Sequence, residues 1–81
     1  MDSKIIVSHE FLIQFRDRLR RLSDLVMASK MRLEDSGLAE EFLVFADLSN
    51  GLQSVYGGIG SLIRDASAAI AALGALKNEM R

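Results

Sequence analysis

The chain has 81 residues, with 10 Lys and Arg against 11 Asp and Glu, and therefore a formal net charge of −1 at pH 7. This balance argues against a protein that coats nucleic acid, because such proteins bind by neutralising phosphates. With no Cys, no Trp and one His, we expect no enzyme, no cofactor and no metal site. The length predicts one small domain, residues 1–81.

The first residues lack the apolar core of a secretory signal. Ile5, Ile6 and Val7 are the apolar run there, whereas a cleavable signal needs about 7–15 such residues. A later, mostly Ala stretch from Ala66 to Leu76 is too short to span about 30 Å of hydrocarbon. We therefore expect a chain that does not insert stably in a membrane. We also expect it to be cytoplasmic before any export, and secretion to proceed without a cleavable signal peptide.

A first helix is predicted from about residue 8 to residue 34. Ser8 is expected to cap its N-terminus, and Glu10 lies in the first turn, where the helix dipole favours an acid. Apolar residues then recur at alternating three- and four-residue steps, which predicts a seam that packs on another helix. The seam residues are Leu12, Phe15, Leu19, Leu22, Val26 and Leu33, with the polar Ser29 between the last two.

A turn is predicted at residues 35–37. Gly37 can adopt the left-handed conformation that ends a helix, and Asp35 or Ser36 can cap the next one. Glu40 and Glu41 would then lie in the first turn of a second helix, predicted from about residue 38 to residue 80.

The second helix carries two apolar rows. The first has the same three-four spacing, interrupted by the polar Ser49 and Lys77, and comprises Leu38, Phe42, Phe45, Leu52, Tyr56, Ile59, Ile63, Ala66, Ile70, Leu73 and Met80. The second row recurs at steps of seven residues and comprises Leu48, Val55, Leu62, Ala69 and Leu76. Together the two rows make an apolar face of the second helix that is too wide for one neighbouring helix to cover.

Glycines interrupt the middle of this helix at Gly51, Gly57, Gly58 and Gly60. Each costs about 0.5–1 kcal/mol relative to Ala inside a helix, so the cluster is compatible with a break. Because the apolar rows continue on both sides, we favour a continuous or gently kinked helix.

A lone two-helix unit of this size has a small core, and without a disulfide or a metal its remaining means of stabilisation is association. The predicted fold is all-α: two long antiparallel helices, a helical hairpin, that pairs with another hairpin into a four-helix bundle. Either a homodimer or a heterodimer with a related hairpin satisfies this requirement. The residues predicted at the partner interface are Leu48, Val55, Tyr56, Ile59, Leu62, Ala69 and Leu76.

The turn sequence Asp35-Ser36-Gly37-Leu38-Ala39, followed by Phe42, resembles that of the small Trp-x-Gly hairpin proteins of type VII secretion, similar to early secreted antigenic target proteins. Gly37 matches the family's glycine and Ala39 the small residue after it. Asp35 stands at the position of the family's Trp, and the family's export tail, a Tyr three residues before an acid, has no counterpart.

The resemblance implies a non-enzymatic hairpin that is secreted as a dimer or acts as the targeting partner of a larger effector. The missing Trp and tail fit the accessory hairpins that bind the N-terminal helical domain of large type VII toxins. Two other interpretations remain open on the pattern of helices alone: a needle-type filament subunit and a membrane-active helical protein.

Overall fold

The computed structural model describes residues 2–79, which form three helices. Helix α1 spans Asp2–Asp35, the short α2 spans Leu38–Glu41 and α3 spans Leu43–Glu79, with no strand among these residues. The predicted all-α class is confirmed. Met80, the last member of the first apolar row predicted for the second helix, lies outside the described residues.

The first helix begins earlier than predicted. It already includes Asp2, so the assignment of Ser8 as the N-cap is wrong. The apolar pattern explains the extension, because Ile5 precedes Leu12 by seven residues and is half-buried like it.

The turn has the conformation expected from its glycine. Gly37 has φ 74° and ψ −2°, the left-handed region that favours Gly. The Ser36 hydroxyl donates to the Leu33 carbonyl oxygen at 2.6 Å and accepts from the Leu38 N–H at 3.2 Å. The N-cap residue of α2 is Gly37, which has no side chain to cap the helix. Ser36, the residue before Gly37, accepts the hydrogen bond from the first backbone N–H of α2 instead.

The second helix is divided at Phe42, which corrects the prediction of one helix from residue 38. Phe42 is extended, with φ −128° and ψ 124°, and its carbonyl oxygen accepts the first bonds of α3 from Phe45 and Ala46 at 3.1 and 3.2 Å. The residues from Phe42 to Phe45 are all apolar, and consecutive residues cannot share one helix face. Phe42, the first residue of this run, is extended and separates Leu43, Val44 and Phe45 from α2.

Helix α3 continues without interruption through Gly51, Gly57, Gly58 and Gly60. The glycine cluster therefore does not break the helix, as we favoured from the sequence.

Helices α1 and α3 lie side by side and run in opposite directions. His9, near the start of α1, is next to Gly74, near the end of α3. Ser29, near the end of α1, shares a groove with Leu48 and Leu52, near the start of α3. The whole unit measures 61 × 14 × 14 Å.

The core between the two helices is small. Leu19 and Val26 of α1 meet Ile59 of α3, and the partly buried residues packed against them are Leu52, Tyr56 and Ile63. Ala66 is also buried, and no described side chain is more than 98% buried. Hydrophobic burial within one chain is therefore limited.

The face of α1 that meets α3 differs in part from the predicted seam. Leu19 and Val26 are buried as expected, but Phe15 and Leu22 are 36% and 44% exposed. A polar row is half-buried in their place, and its members are His9, Arg16, Ser23 and Lys30. The small residues of α3 make room for this row, since Ser23 shares a groove with Gly60 and His9 lies beside Gly74.

Candidate protein-binding surface

Half-exposed apolar side chains form a row along α3. Leu48, Val55, Leu62 and Leu76 are 52%, 50%, 49% and 43% exposed, and Ala69 between them is half-buried. These five residues are the second row of the sequence prediction. They follow steps of seven, so they remain on one side of the helix when it packs along a neighbour.

A matching row on α1 lies on the same side of the molecule. Ser29 and Leu48 line one groove, which places the two positions next to each other. Phe15 and Leu22 precede Ser29 by steps of seven residues, and Val55 and Leu62 follow Leu48 by the same steps. Because the helices are antiparallel, the two rows run alongside each other.

We refer to these two rows together as the apolar stripe. Its members are Phe15 and Leu22 of α1 and Leu48, Val55, Leu62, Ala69 and Leu76 of α3.

Two further side chains widen the stripe on α1. Phe11 stacks on Phe15 with ring centroids 6.0 Å apart and an interplanar angle of 9°. Phe11 and Leu25 are both exposed. This side of α1 therefore presents a broad apolar surface, of the kind that marks protein or membrane contacts.

Two residues predicted at the partner interface are used within the chain. Ile59 is 5% exposed in the α1–α3 core, and Tyr56 packs against that core while remaining half-buried. Ile59 is therefore not accessible to a partner. Ile59 is buried because it lies seven residues from both Leu52 and Ala66, in the row of α3 that faces α1.

The turn residues lie at one end of the molecule. Gly37 is the left-handed residue described above, and Ala39 is a half-buried residue of α2. Next to them, Phe42, Leu43 and Val44 are strongly exposed, and Phe42 meets the Phe45 ring edge-on at 6.0 Å between centroids. The sequence prediction places Phe42 in the first apolar row of the second helix and does not include this exposed group. The uninterrupted run of apolar residues from Phe42 to Phe45 is the signal that could have indicated it.

The side-chain hydrogen bonds and ion pairs among residues 2–79 join groups at most four residues apart. Among residues 2–79, no group of three or more His, Cys, Asp or Glu side chains is placed to hold a metal ion. The Nε atom of Arg16 is buried without a hydrogen-bond acceptor in the described structure, and Asp17 Oδ1 lies 3.8 Å from it. Lys30 forms an ion pair with Glu34 one helical turn away.

Of the described helices, α3 has the length and composition of a membrane span. An 18-residue window in it has a mean hydropathy of 1.4, and 11% of that window is buried. The apolar segment is thus longer than the stretch from Ala66 to Leu76 suggested. Core helices of water-soluble proteins can be equally long and apolar, but they are mostly buried.

No protein-family model matches the chain, and neither the curated proteins nor the solved structures include a significant match.

Proposed function

We propose that the chain is a non-enzymatic helical hairpin that works by pairing with a second helical hairpin into a four-helix bundle. The observation that carries this proposal is the apolar stripe, because four of its α3 residues keep about half of their side chains in water. Covering that side of the molecule with two more helices would bury both rows at once.

The exposed area supports an interface of ordinary size. A compact protein of 8.9 kDa exposes about 4,800 Å², whereas this chain exposes 6006 Å². The difference is roughly 1,200 Å² per chain, which is more than the roughly 800 Å² that each partner buries in a specific interface of standard size.

The energy of covering the stripe is large for so small a protein. Burying a Leu, Val or Phe side chain fully stabilises by about 1.5–3 kcal/mol, so covering one that is half exposed contributes about 1 kcal/mol. Six such side chains in each copy would contribute several kcal/mol, before the cost of association is subtracted. A single small core supplies only about 3–5 kcal/mol, so pairing would add substantially to stability.

We further propose that this hairpin serves type VII secretion, as a dimeric cargo or as the targeting partner of a larger effector with a helical N-terminal domain. The support is the turn, where Gly37 occupies the position of the family's glycine with φ 74° and Ala39 follows in α2. The long antiparallel α1–α3 pair is the architecture that the resemblance implies.

The variant Leu62→Asp tests the pairing. It places a charge in the middle of the apolar stripe and should abolish association, because a buried unpaired carboxylate is costly. Ala71→Asp is the matched control, since Ala71 is an exposed α3 residue outside the stripe. Sedimentation equilibrium measures the mass and circular dichroism the helix content. A parent chain that is fully helical and monomeric, with or without a candidate hairpin partner, would rule out the proposal.

A membrane-active helical protein is the second candidate, and the hydropathy of α3 is the observation that favours it. The two candidates separate in a leakage assay with dye-loaded vesicles of zwitterionic and of anionic lipid. The pairing proposal predicts no leakage, whereas release that Leu62→Asp suppresses would favour the membrane function.

A further inference from the structure

Charged side chains beside the apolar stripe are sorted by helix. On α1, the row next to the stripe contains the bases Lys4, Arg18 and Arg32, at steps of fourteen residues. On α3, the corresponding outer side contains acids, namely Asp47, Asp65 and Glu79.

All six of these side chains are exposed. Within the described residues, the ion pairs are Arg16–Asp17, Arg20–Asp17 and Lys30–Glu34, so none of the six takes part in one. One edge of the stripe is therefore basic and the other acidic, and both edges are free to meet opposite charges on a partner.

We propose that the hairpin partner is a second copy of this chain, placed so that α1 of each copy packs on α3 of the other. This inference rests on the proposed pairing through the apolar stripe. In such a dimer the two-fold axis runs parallel to the helices, and each basic edge faces an acidic edge. A two-fold axis across the helices would instead stack α1 on α1 and α3 on α3, which places like charges together.

Symmetry also fixes which residues face each other. A two-fold axis parallel to the helices causes no shift along them, so each residue keeps its height in both copies. His9 lies beside Gly74, which sets the register of the two antiparallel helices. Arg32 and Leu48 line the same groove, so Arg32 of one copy lies within about one helical turn of Asp47 of the second copy.

The same register brings the other charges together. Arg18 follows His9 by nine residues and Asp65 precedes Gly74 by nine, so Arg18 of one copy is level with Asp65 of the second. Lys4 precedes His9 by five residues and Glu79 follows Gly74 by five, so this pair is level as well. Three charge pairs on each side follow from a single symmetry operation, and a partner of unrelated sequence would not be expected to reproduce that match.

Charge reversal tests the arrangement. Arg18→Glu and Asp65→Arg should each raise the dimer dissociation constant about tenfold, because each loses an attractive pair twice per dimer and gains two repulsive ones. The double variant restores opposite charges and should return the constant to within about threefold of the parent. Arg20→Glu, an exposed reversal away from the stripe, is the control and should change the constant little.

The outcomes separate the two proposals. A parent dimer that Leu62→Asp dissociates, but in which the double reversal fails to restore affinity, would overturn this arrangement and leave pairing through the stripe intact. A parent chain that pairs with a different hairpin and not with itself would overturn the second copy as partner. A stable helical monomer that binds no hairpin would overturn both.

Discussion

The Nε2 atom of His9 lies 3.6 Å from the point that a Cβ atom on Gly74 would occupy. This approach sets the start of α1 level with the end of α3. It also shows why polar side chains of α1 can lie between the helices, since the facing side of α3 carries glycines there. The apolar side chains that a symmetrical seam would have used, Phe15 and Leu22, are left at the surface.

Replacing Gly57 by Ala should stabilise the chain. Gly57 is an exposed helical residue, and no atom lies within 4 Å of the point that an added Cβ would occupy, so Ala lowers the entropic cost of folding without a clash. The free energy of unfolding in urea should rise by about 0.5–1 kcal/mol. A decrease would indicate that α3 is not continuous at this point in solution.

Replacing Gly37 by Ala should have the opposite effect, although space is equally available there. The backbone φ of 74° is strained for any residue with a Cβ atom. The same urea experiment should show a loss of about 1 kcal/mol. Gly37→Asn is the informative comparison, because Asn tolerates this conformation better and should lose less.

Ile59 and Leu62 are three residues apart and should respond differently to truncation. Ile59→Ala leaves a cavity in the α1–α3 core and should cost about 2–4 kcal/mol at every protein concentration. Leu62→Ala removes a half-exposed side chain of the apolar stripe, so its effect should be confined to association. Thermal unfolding at several concentrations distinguishes the two, and equal effects of both variants on an isolated monomer would contradict this assignment.

Arg16→Met should leave stability unchanged or raise it by about 1 kcal/mol, because the buried Nε of Arg16 has no acceptor in the described structure. Met keeps most of the apolar stem that packs beside α3. Arg20→Met is the control, since Arg20 is more exposed and should change stability by less. A loss of more than about 1 kcal/mol for Arg16→Met would mean that the ion pair of the guanidinium with Asp17, at 3.8 Å, stabilises the chain.

The sequence predicts the helices, the left-handed turn and the wide apolar surface of α3, because these follow from short-range periodicity and from Gly37. It does not predict which of the two rows that flank Leu19 and Val26 on α1 packs against α3. Phe15 and Leu22 on one side and Arg16 and Ser23 on the other have equally regular spacing. The choice depends on the small side chains of α3 opposite, which only the packed pair reveals.

The break at Phe42 is not predicted for a related reason. Its spacing fits the seam, and the competing signal is the run of apolar neighbours that no single helix face can bury. The early start of α1 is not predicted either, because a good capping residue, Ser8, lies inside a pattern that continues back to Ile5.

Sedimentation equilibrium of the parent chain tests the central claim most directly, which is that a second copy of the chain covers the apolar stripe. The account predicts a helical species of twice the 8.9 kDa chain mass at micromolar concentration, dissociated to single chains by Leu62→Asp and not by Ala71→Asp. A helical species of single-chain mass at every concentration, with the stripe left in water, would contradict it.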